Sequence, residues 1–501
     1  MDVVGTDDDA FAASRSRFEE LVGFLAGSAA AQLEHGELEE AVSTDGRELL
    51  RLLYQDHLDL RAAGEQRLAR VVDADQVDRP ACEPGRARGL STVFGPVRVT
   101  RLAYRRRGHG DLHPADGTLN LPAEKHSHGL RRLAATEAAR GSFDDALAAI
   151  GQATGQQLGK RQVEELADRA AADFDAFYAS RRPPAGQGPD VLVLSADGKG
   201  VVMRPEALRP ATATAAAKAA PKLQTRLSRG EKRNRKRMAE VGAVYDATPA
   251  PRDPEQVLAS RHDPGPEPVA VPRASAKWLT ASIVDDAAEV ITAIFDEAER
   301  RDPDHARTWV ALVDGNNHQI DRIRTEATRR GLTVPILIDL IHVLEYLWKA
   351  AWSFYPEGDP DAEAWVGQKA LAVLNGKATT VAAAIRRKAT RRQLTPAQRA
   401  GADRAATYLT NKRDYLDYPT ALEQGWPIAT GIIEGACRHL VKDRMDITGA
   451  RWGLTGAEAV LKLRALRANG DFDDYWRYHL NREQERVHAA RYTDALIPQA
   501  A

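Results

Sequence analysis

Two short apolar runs in the second half of the chain each stop at Asp-Gly. One is Val191-Leu-Val-Leu194, followed by Ser195-Ala-Asp197-Gly198; the other is Thr308-Trp-Val-Ala-Leu-Val313, followed by Asp314-Gly315. An unbroken apolar run of this length, closed by a turn, reads as a strand buried on both faces. Strands of that kind need helices over them, which makes this half of the chain α/β. An Asp at the end of a buried strand points into the mouth of the sheet, and Gly beside it leaves room for a ligand. Two such carboxylates on neighbouring strands make a hard-oxygen site of the kind that Mg²⁺ or Mn²⁺ takes. Strand-end Asp-Gly is also a common turn, and that plainer reading stays open at this point.

A third acid stands in Ala429-Thr-Gly-Ile-Ile-Glu434-Gly-Ala-Cys437. Glu434 opens an otherwise neutral, mostly apolar helix with Ile432, Ile433 and Leu440 as buried positions, so solvation alone does not explain it. The alternative is an acid stabilised by the helix dipole. Cys437 lies one turn on. His439 does not share its helix face, which leaves the thiol without a base and gives it a packing role.

The rest of the chain divides by texture. Residues 1–90 read as a helical N-terminal region, with Phe18, Leu21, Val22 and Leu25 and then Leu49, Leu50, Leu53 and Leu60 at helical spacing. A Pro/Gly-rich break at Pro80–Gly89 follows. Residues 91–130 hold a β-hairpin turning at Gly95-Pro96, and a polar loop. Within 131–183, a short helix from Phe143 to Ile150, a break at Gly151, Thr154 and Gly155, and a second helix opening at Gly159 form a helix-turn-helix pattern, with Lys160, Arg161 and Gln162 at the start of the second helix. A plain helical hairpin is the rival reading.

The α/β part is expected over 184–345, with strands at Val191–Leu194, Val201–Met203, Val241–Tyr245, Leu279–Val284, Thr308–Val313 and Val334–Ile338. A basic insertion of little regular structure is expected over about 205–272. Residues 346–424 read as all helix, 425–480 return to the α/β core, and 481–501 form a tail. The window from Lys222 to Arg237, including Arg229, Lys232, Arg233, Arg235, Lys236 and Arg237 with Glu231 as its one acid, can neutralise several phosphates. A solvated surface run is the plainer alternative.

Composition sets limits on function. The 70 basic and 71 acidic residues among 501 nearly cancel, which excludes a chain that coats nucleic acid by bulk charge but leaves a local basic patch possible. Two cysteines exclude a disulfide framework and a cysteine zinc cluster. His109, His113, His126 and His128 lack cysteine company and read as a polar loop. No stretch is apolar enough to cross a bilayer, and the acidic start lacks a signal-peptide pattern, so a cytoplasmic protein is expected.

Several stretches together resemble the bacterial insertion-sequence transposases of the Kra-type family. They are Leu194-Ser-Ala-Asp197-Gly-Lys-Gly-Val-Val-Met203, Val313-Asp314-Gly-Asn, Ile338-Asp339-Leu-Ile-His342-Val-Leu-Glu-Tyr-Leu-Trp348 and Gly431-Ile-Ile-Glu434-Gly-Ala-Cys-Arg-His-Leu-Val-Lys-Asp-Arg-Met-Asp446. Gly230–Tyr245 and Asn469–His479 are similar to that family as well. The resemblance runs in chain order from about Thr92 to His479.

It implies an RNase H-like catalytic core with an all-α insertion, preceded by a mainly α region with a hairpin. It also implies a DDE triad of Asp197, Asp314 and Glu434 holding two Mg²⁺ (or Mn²⁺) ions, with Asp339 and His342 as an auxiliary pair. Asp339 as a cap on the following helix is the bland alternative for that pair. The implied chemistry is metal-dependent cleavage and strand transfer of the element's own DNA. The implied partners are terminal inverted repeats, target DNA and further copies of the chain, and the expected setting is the bacterial nucleoid. Arg438, Lys442 and Arg444, following Glu434, are expected to contact phosphate near the cleavage point. Two other classes compete: a non-catalytic DNA-binding protein, such as a repressor or domesticated transposase, and an RNase H-fold nuclease.

Overall fold

The computed structural model describes residues 10–182, 191–218, 223, 225–226, 228, 235–259, 270–447 and 449–499. They form a mixed α/β structure in two compact units, one made of Met1–Ala179 with Gly470–Ala501, the other of Ser180–Asn469. No described helix is long and apolar enough to cross a membrane.

The first unit begins with the helices Ala12–Ala26 and His35–Ala63. The second of these starts on a capping box between Glu34 and Glu37, which satisfies backbone N–H groups at the exposed helix end. The hairpin comes next: β1 (Ala81–Thr92) runs antiparallel to β2 (Gly95–Arg105), with Thr92 opposite Gly95. A hairpin is present as expected, but its turn is Val93-Phe94, with the expected turn residues Gly95-Pro96 opening β2, and β1 occupies the Pro/Gly-rich stretch read from sequence as a break. Pro84 and Gly85 are tolerated because the register slips between Glu83 and Arg86, a bulge that releases the ladder at that point.

Three helices follow: His128–Arg140, Phe143–Thr154 and Lys160–Ala171. The expected two-helix pattern is present, its first helix one turn longer than expected and closed by Gly155 in the left-handed region at φ 69°.

The C-terminal helix Phe472–Glu483 is part of this unit, which corrects the expectation that 425–480 is all α/β core. The reason is a buried polar network that sequence reading has no way to pair. Arg131, fully buried, donates to Glu124 and, at 2.8 Å, to Glu483. It also donates from Nη1 to Nε2 of His479 at 3.0 Å, while His479 Nδ1–H donates to Asp173 at 2.7 Å. Arg486 closes the ring onto both Asp173 and Glu483.

The second unit is built on a five-stranded sheet in the order β5-β4-β3-β6-β7: β3 Val191–Val202, β4 Lys236–Thr248, β5 Arg273–Ser282, β6 Trp309–Val313 and β7 Ile336–Ile338. The pairs β3–β4 and β4–β5 are antiparallel, whereas β6 and β7 run parallel to β3. The two short strands expected around Asp197-Gly198 are one continuous strand, β3, because Gly198 pairs with Glu240 instead of turning. The second strand of the sheet is β4, whose thirteen residues start within the span read as an irregular insertion.

Both faces are covered. Val193, Val310 and Leu312 share a core with Val343, Leu347, Val381, Ile385 and Leu409 of the helical stretch 340–423. The helix Ala287–Arg301 approaches β4 so closely that a Cβ on Gly242 would meet Ile294 at 2.8 Å. Its Phe295 ring lies 6.2 Å from that of Trp309 on β6.

Candidate functional site

Strand register sets out the carboxylates. β3 pairs with β6 as Leu194 with Ala311, and β6 with β7 as Val313 with Ile338. Counting on, Asp197, Asp314 and Asp339 fall on one row across three adjacent parallel strands, Asp197 within β3 and the other two just past the ends of β6 and β7. Side chains alternate along a strand, so these three share the face of Val193, Val310 and Leu312, the face under the helical stretch. Tyr408 from that stretch donates its hydroxyl to the Asp314 carbonyl at 3.2 Å, and Tyr418 donates to the Ile338 carbonyl at 2.8 Å. The helical stretch therefore fixes the loops that follow β6 and β7. Gly315, at φ 95°, makes the turn after β6.

Asp339 is fully buried and heavily used. Its carboxylate accepts from the Ile341 N–H at 2.9 Å, the Thr430 hydroxyl at 2.5 Å and His342 Nδ1 at 3.2 Å. The capping role and the pairing with His342 are thus both present, and the first does not exclude the second. The hydrogen bond to Asp339 pushes the His342 pKa up against the effect of burial, and the Asp314 charge adds to it, so Asp314 lies within electrostatic reach.

Asp339, His342 and Glu434 offer ligand atoms that all lie within 4.8 Å of one another, the one such group of three among the described residues. Asp197 and Asp314 are outside it. Glu434, expected to share two metals with Asp197 and Asp314, is thus grouped with the pair read as auxiliary. The physical reason is where the Glu434 helix sits. It runs Gly431–Ala436, continues as a π-helical turn Cys437–Lys442, and packs on β3 and β4. From there Glu434 reaches Asp339 and His342, while Cys437, three residues on, donates its thiol to Asp197 at 3.2 Å. The helix touches both ends of the Asp row, with the strand of Asp314 between them. A π-turn inside a helix is a costly irregularity that recurs at functional sites.

Burial, with the Asp197 charge adding to it, pushes the Cys437 thiol well up. The thiol donates to Asp197, in keeping with a packing role. Glu240, opposite Gly198 on β4, is pushed up by burial and then by Asp197. Sequence reading missed Glu240, Thr430 and Tyr408. The signal for Glu240 was the strand alternation through Val241–Tyr245; Thr430 and Tyr408 act through distant loops and left no local signal.

The basic residues sort differently from expectation. Arg229, Lys232 and Arg233 lie outside the described residues. Lys236 is exposed, whereas Arg237 is tied into the fold, donating to the carbonyls of Ile283 (2.6 Å), Val284 (3.1 Å) and Ala207 (3.4 Å). Arg235 is half-buried at the start of β4. Arg444 is 2% exposed with its guanidinium 4.6 Å from the Trp452 ring centre, a packing role that corrects its expected phosphate contact. Arg438 and Lys442 are exposed. In the first unit, Lys160 pairs with Asp144 at 2.7 Å, Gln162 caps its own helix through the Gly159 N–H, and Arg161 is 91% exposed beside Glu165. Of these three, Arg161 has the freest side chain. No protein-family model matches the chain, and no curated protein matches it.

Proposed function

We propose that the chain is a DDE-type transposase with an RNase H-like core, as the sequence resemblance implies. The observation that carries the reading is the row of Asp197, Asp314 and Asp339 across three parallel strands, spanned by the helix of Glu434. The sheet order third–second–first–fourth–fifth, with the last two strands parallel to the first, supports it, since the first Asp then lies on the first strand and the second just after the fourth. The helical stretch 340–423 stands where an all-α insertion is expected.

The donor chemistry fits divalent ions. Among the described residues, none of Asp197, Asp314 and Glu434 has an Arg or Lys ion-pair partner, and the ion-pair partner of Asp339 is His342 alone. Neighbouring carboxylates repel one another, and a bound divalent cation would relieve that repulsion. Asp197, Asp314 and Glu434 offer an all-oxygen set suited to Mg²⁺ or Mn²⁺; the His342 imidazole suits a softer ion and belongs in a positioning role. Asp197, Asp314 and Glu434 would hold the ions, which would supply Lewis acidity beside the scissile phosphate.

The protein's own residues do the holding. Ile341 and Thr430 fix Asp339, Asp339 orients His342, and the Cys437 thiol orients Asp197. Recognition of the element ends falls to the helices Phe143–Thr154 and Lys160–Ala171, and Arg438 and Lys442 are placed to meet phosphate beside Glu434. The test uses duplexes carrying the inverted repeats that flank the gene. Mg²⁺- or Mn²⁺-dependent cleavage at the repeat ends is expected from the wild type. Asp197→Asn and Glu434→Gln should bind the ends and fail to cut; cutting at the normal rate by either variant overturns the assignment.

A further inference from the structure

The π-helical turn after Glu434 is held from outside its own helix. At its end the Asp443 N–H donates to the Arg438 carbonyl, five residues back rather than four. A turn of this width takes up one residue more than an α-turn, and it persists only where something stabilises it. Arg464 meets it from a later helix. The guanidinium donates from Nε to the carbonyls of His439 and Leu440, at 3.0 Å each, and from Nη2 to the His439 carbonyl again. Hydrogen bonds from a charged donor are the stronger kind, and the planar fork of arginine can serve two acceptors at once.

Arg464 is carried on a fixed element. Its helix, Leu454–Ala468, packs on β5, the edge strand of the sheet. Near one end Glu458 accepts from the Ile283 N–H at 2.8 Å, the Val284 N–H at 3.1 Å and the Ser282 hydroxyl at 2.9 Å. Past the other end Asn469 exchanges two hydrogen bonds with the Leu279 backbone, at 2.8 and 2.9 Å. Arg464 lies between these two clamps, so the sheet edge sets its position.

The far side of the π-turn is fixed as well. Arg444 and Met445 are buried, and the Trp452 indole donates to the Met445 carbonyl at 3.0 Å. With that side held, a return from π-turn to α-turn shifts the residues before it by one position, about 100° around the helix axis. Glu434 would then turn away from Asp339 and His342, and Cys437 away from Asp197.

We propose that Arg464 is a positioning residue for the candidate metal site: it stabilises the π-turn and so keeps Glu434 turned toward Asp339 and His342. The inference rests on the reading of Glu434 as a metal-holding acid. Arg464 acts through Glu434 and not on the substrate. Loss of a residue that orients a metal ligand from outside the donor set lowers metal affinity by about 10–100-fold.

The experiment is a Mn²⁺ titration of the purified full-length chain without DNA, read by the paramagnetic resonance signal of the free ion. Arg464→Met keeps an apolar stem and removes the donors; it should weaken binding by about tenfold or more at an unchanged number of sites. Arg464→Lys keeps the charge without the fork and should weaken binding by a smaller factor. Neither substitution should further weaken the residual binding of a Glu434→Gln chain, because the group through which Arg464 acts is then already gone. Unchanged affinity in either single variant overturns the proposal. So does a loss that persists in full in the Glu434→Gln background, or a smaller number of sites at unchanged affinity, the mark of a merely structural role. Should Arg464→Met not fold, Arg464→Lys decides by the same comparison. A wild type that takes up no Mn²⁺ overturns the metal-site reading together with this inference, whereas the other adverse results overturn this inference alone.

Discussion

Replacing Arg131 with Met removes the hub that joins the C-terminal helix to the rest of its unit. The guanidinium is fully buried and serves Glu124, Glu483 and His479 together. Breaking a buried ion pair from one side costs about 3–5 kcal/mol, because the partner charge is left unpaired. Two of the partners here keep a second cation: Arg169 lies 2.7 Å from Glu124 and Arg486 lies 2.6 Å from Glu483. The lower end of the range therefore applies, about 3 kcal/mol, or a fall of roughly 6–12 °C in the unfolding midpoint for a unit of this size. Calorimetry on the full chain reads the midpoint, and amide hydrogen exchange over Phe472–Glu483 reads whether that helix is released. An unchanged midpoint with unchanged exchange would refute the reasoning. The same network means that a fragment ending near residue 185 lacks half of its own core contacts, so end binding is to be assayed on 1–182 joined to 470–501.

Acid should act on the same unit. Arg131 can only donate, so His479 Nε2 must be unprotonated; burial holds its pKa below 6.5, and burial likewise drives His128 to about 4. A histidine depressed in the fold contributes stability that is complete above pH 6.5 and is lost as pH falls through its folded pKa. For His128 alone this amounts to about 3 kcal/mol, and melting of the full chain between pH 7 and pH 4 should show the loss; a flat profile would contradict it. Arg237→Ala should lower stability by about 1–3 kcal/mol through three orphaned carbonyls, against less than about 0.5 kcal/mol for exposed Lys236→Ala, as read by denaturant midpoints. Cys437→Ala should leave metal-dependent cleavage measurable, where a nucleophilic thiol would lose it entirely. Arg161→Ala should weaken preference for the terminal repeats more than binding to unrelated duplex, and competition titrations that find equal losses would count against a base-reading helix.

What the sequence determined by itself is the set of local features. Apolar runs of fixed length specified the first half of β3, β6 and β7, with an Asp directly after β6 and β7, because period and turn chemistry are written in neighbouring residues; the end expected at Asp197 is not one, since β3 runs on to Val202. Gly155 and Gly159 marked the break of the two-helix pattern for the same reason. Most of β1 was read as a break and β4 only as its centre, Val241–Tyr245; their Pro, Gly and charged residues are unfavourable locally and are held by pairing with neighbouring strands.

Only the tertiary structure decided which groups meet. Glu434 approaches Asp339 and His342, and Cys437 approaches Asp197, because one helix with a π-turn lies across β3 and β4. Arg237 and Arg444 look like solvent-facing cations in the chain, yet one binds backbone carbonyls and the other packs on Trp452. His479 and Arg131 are 348 residues apart and share a hydrogen bond in a site without solvent. Contacts of that range depend on how whole elements pack, and no local pattern encodes them.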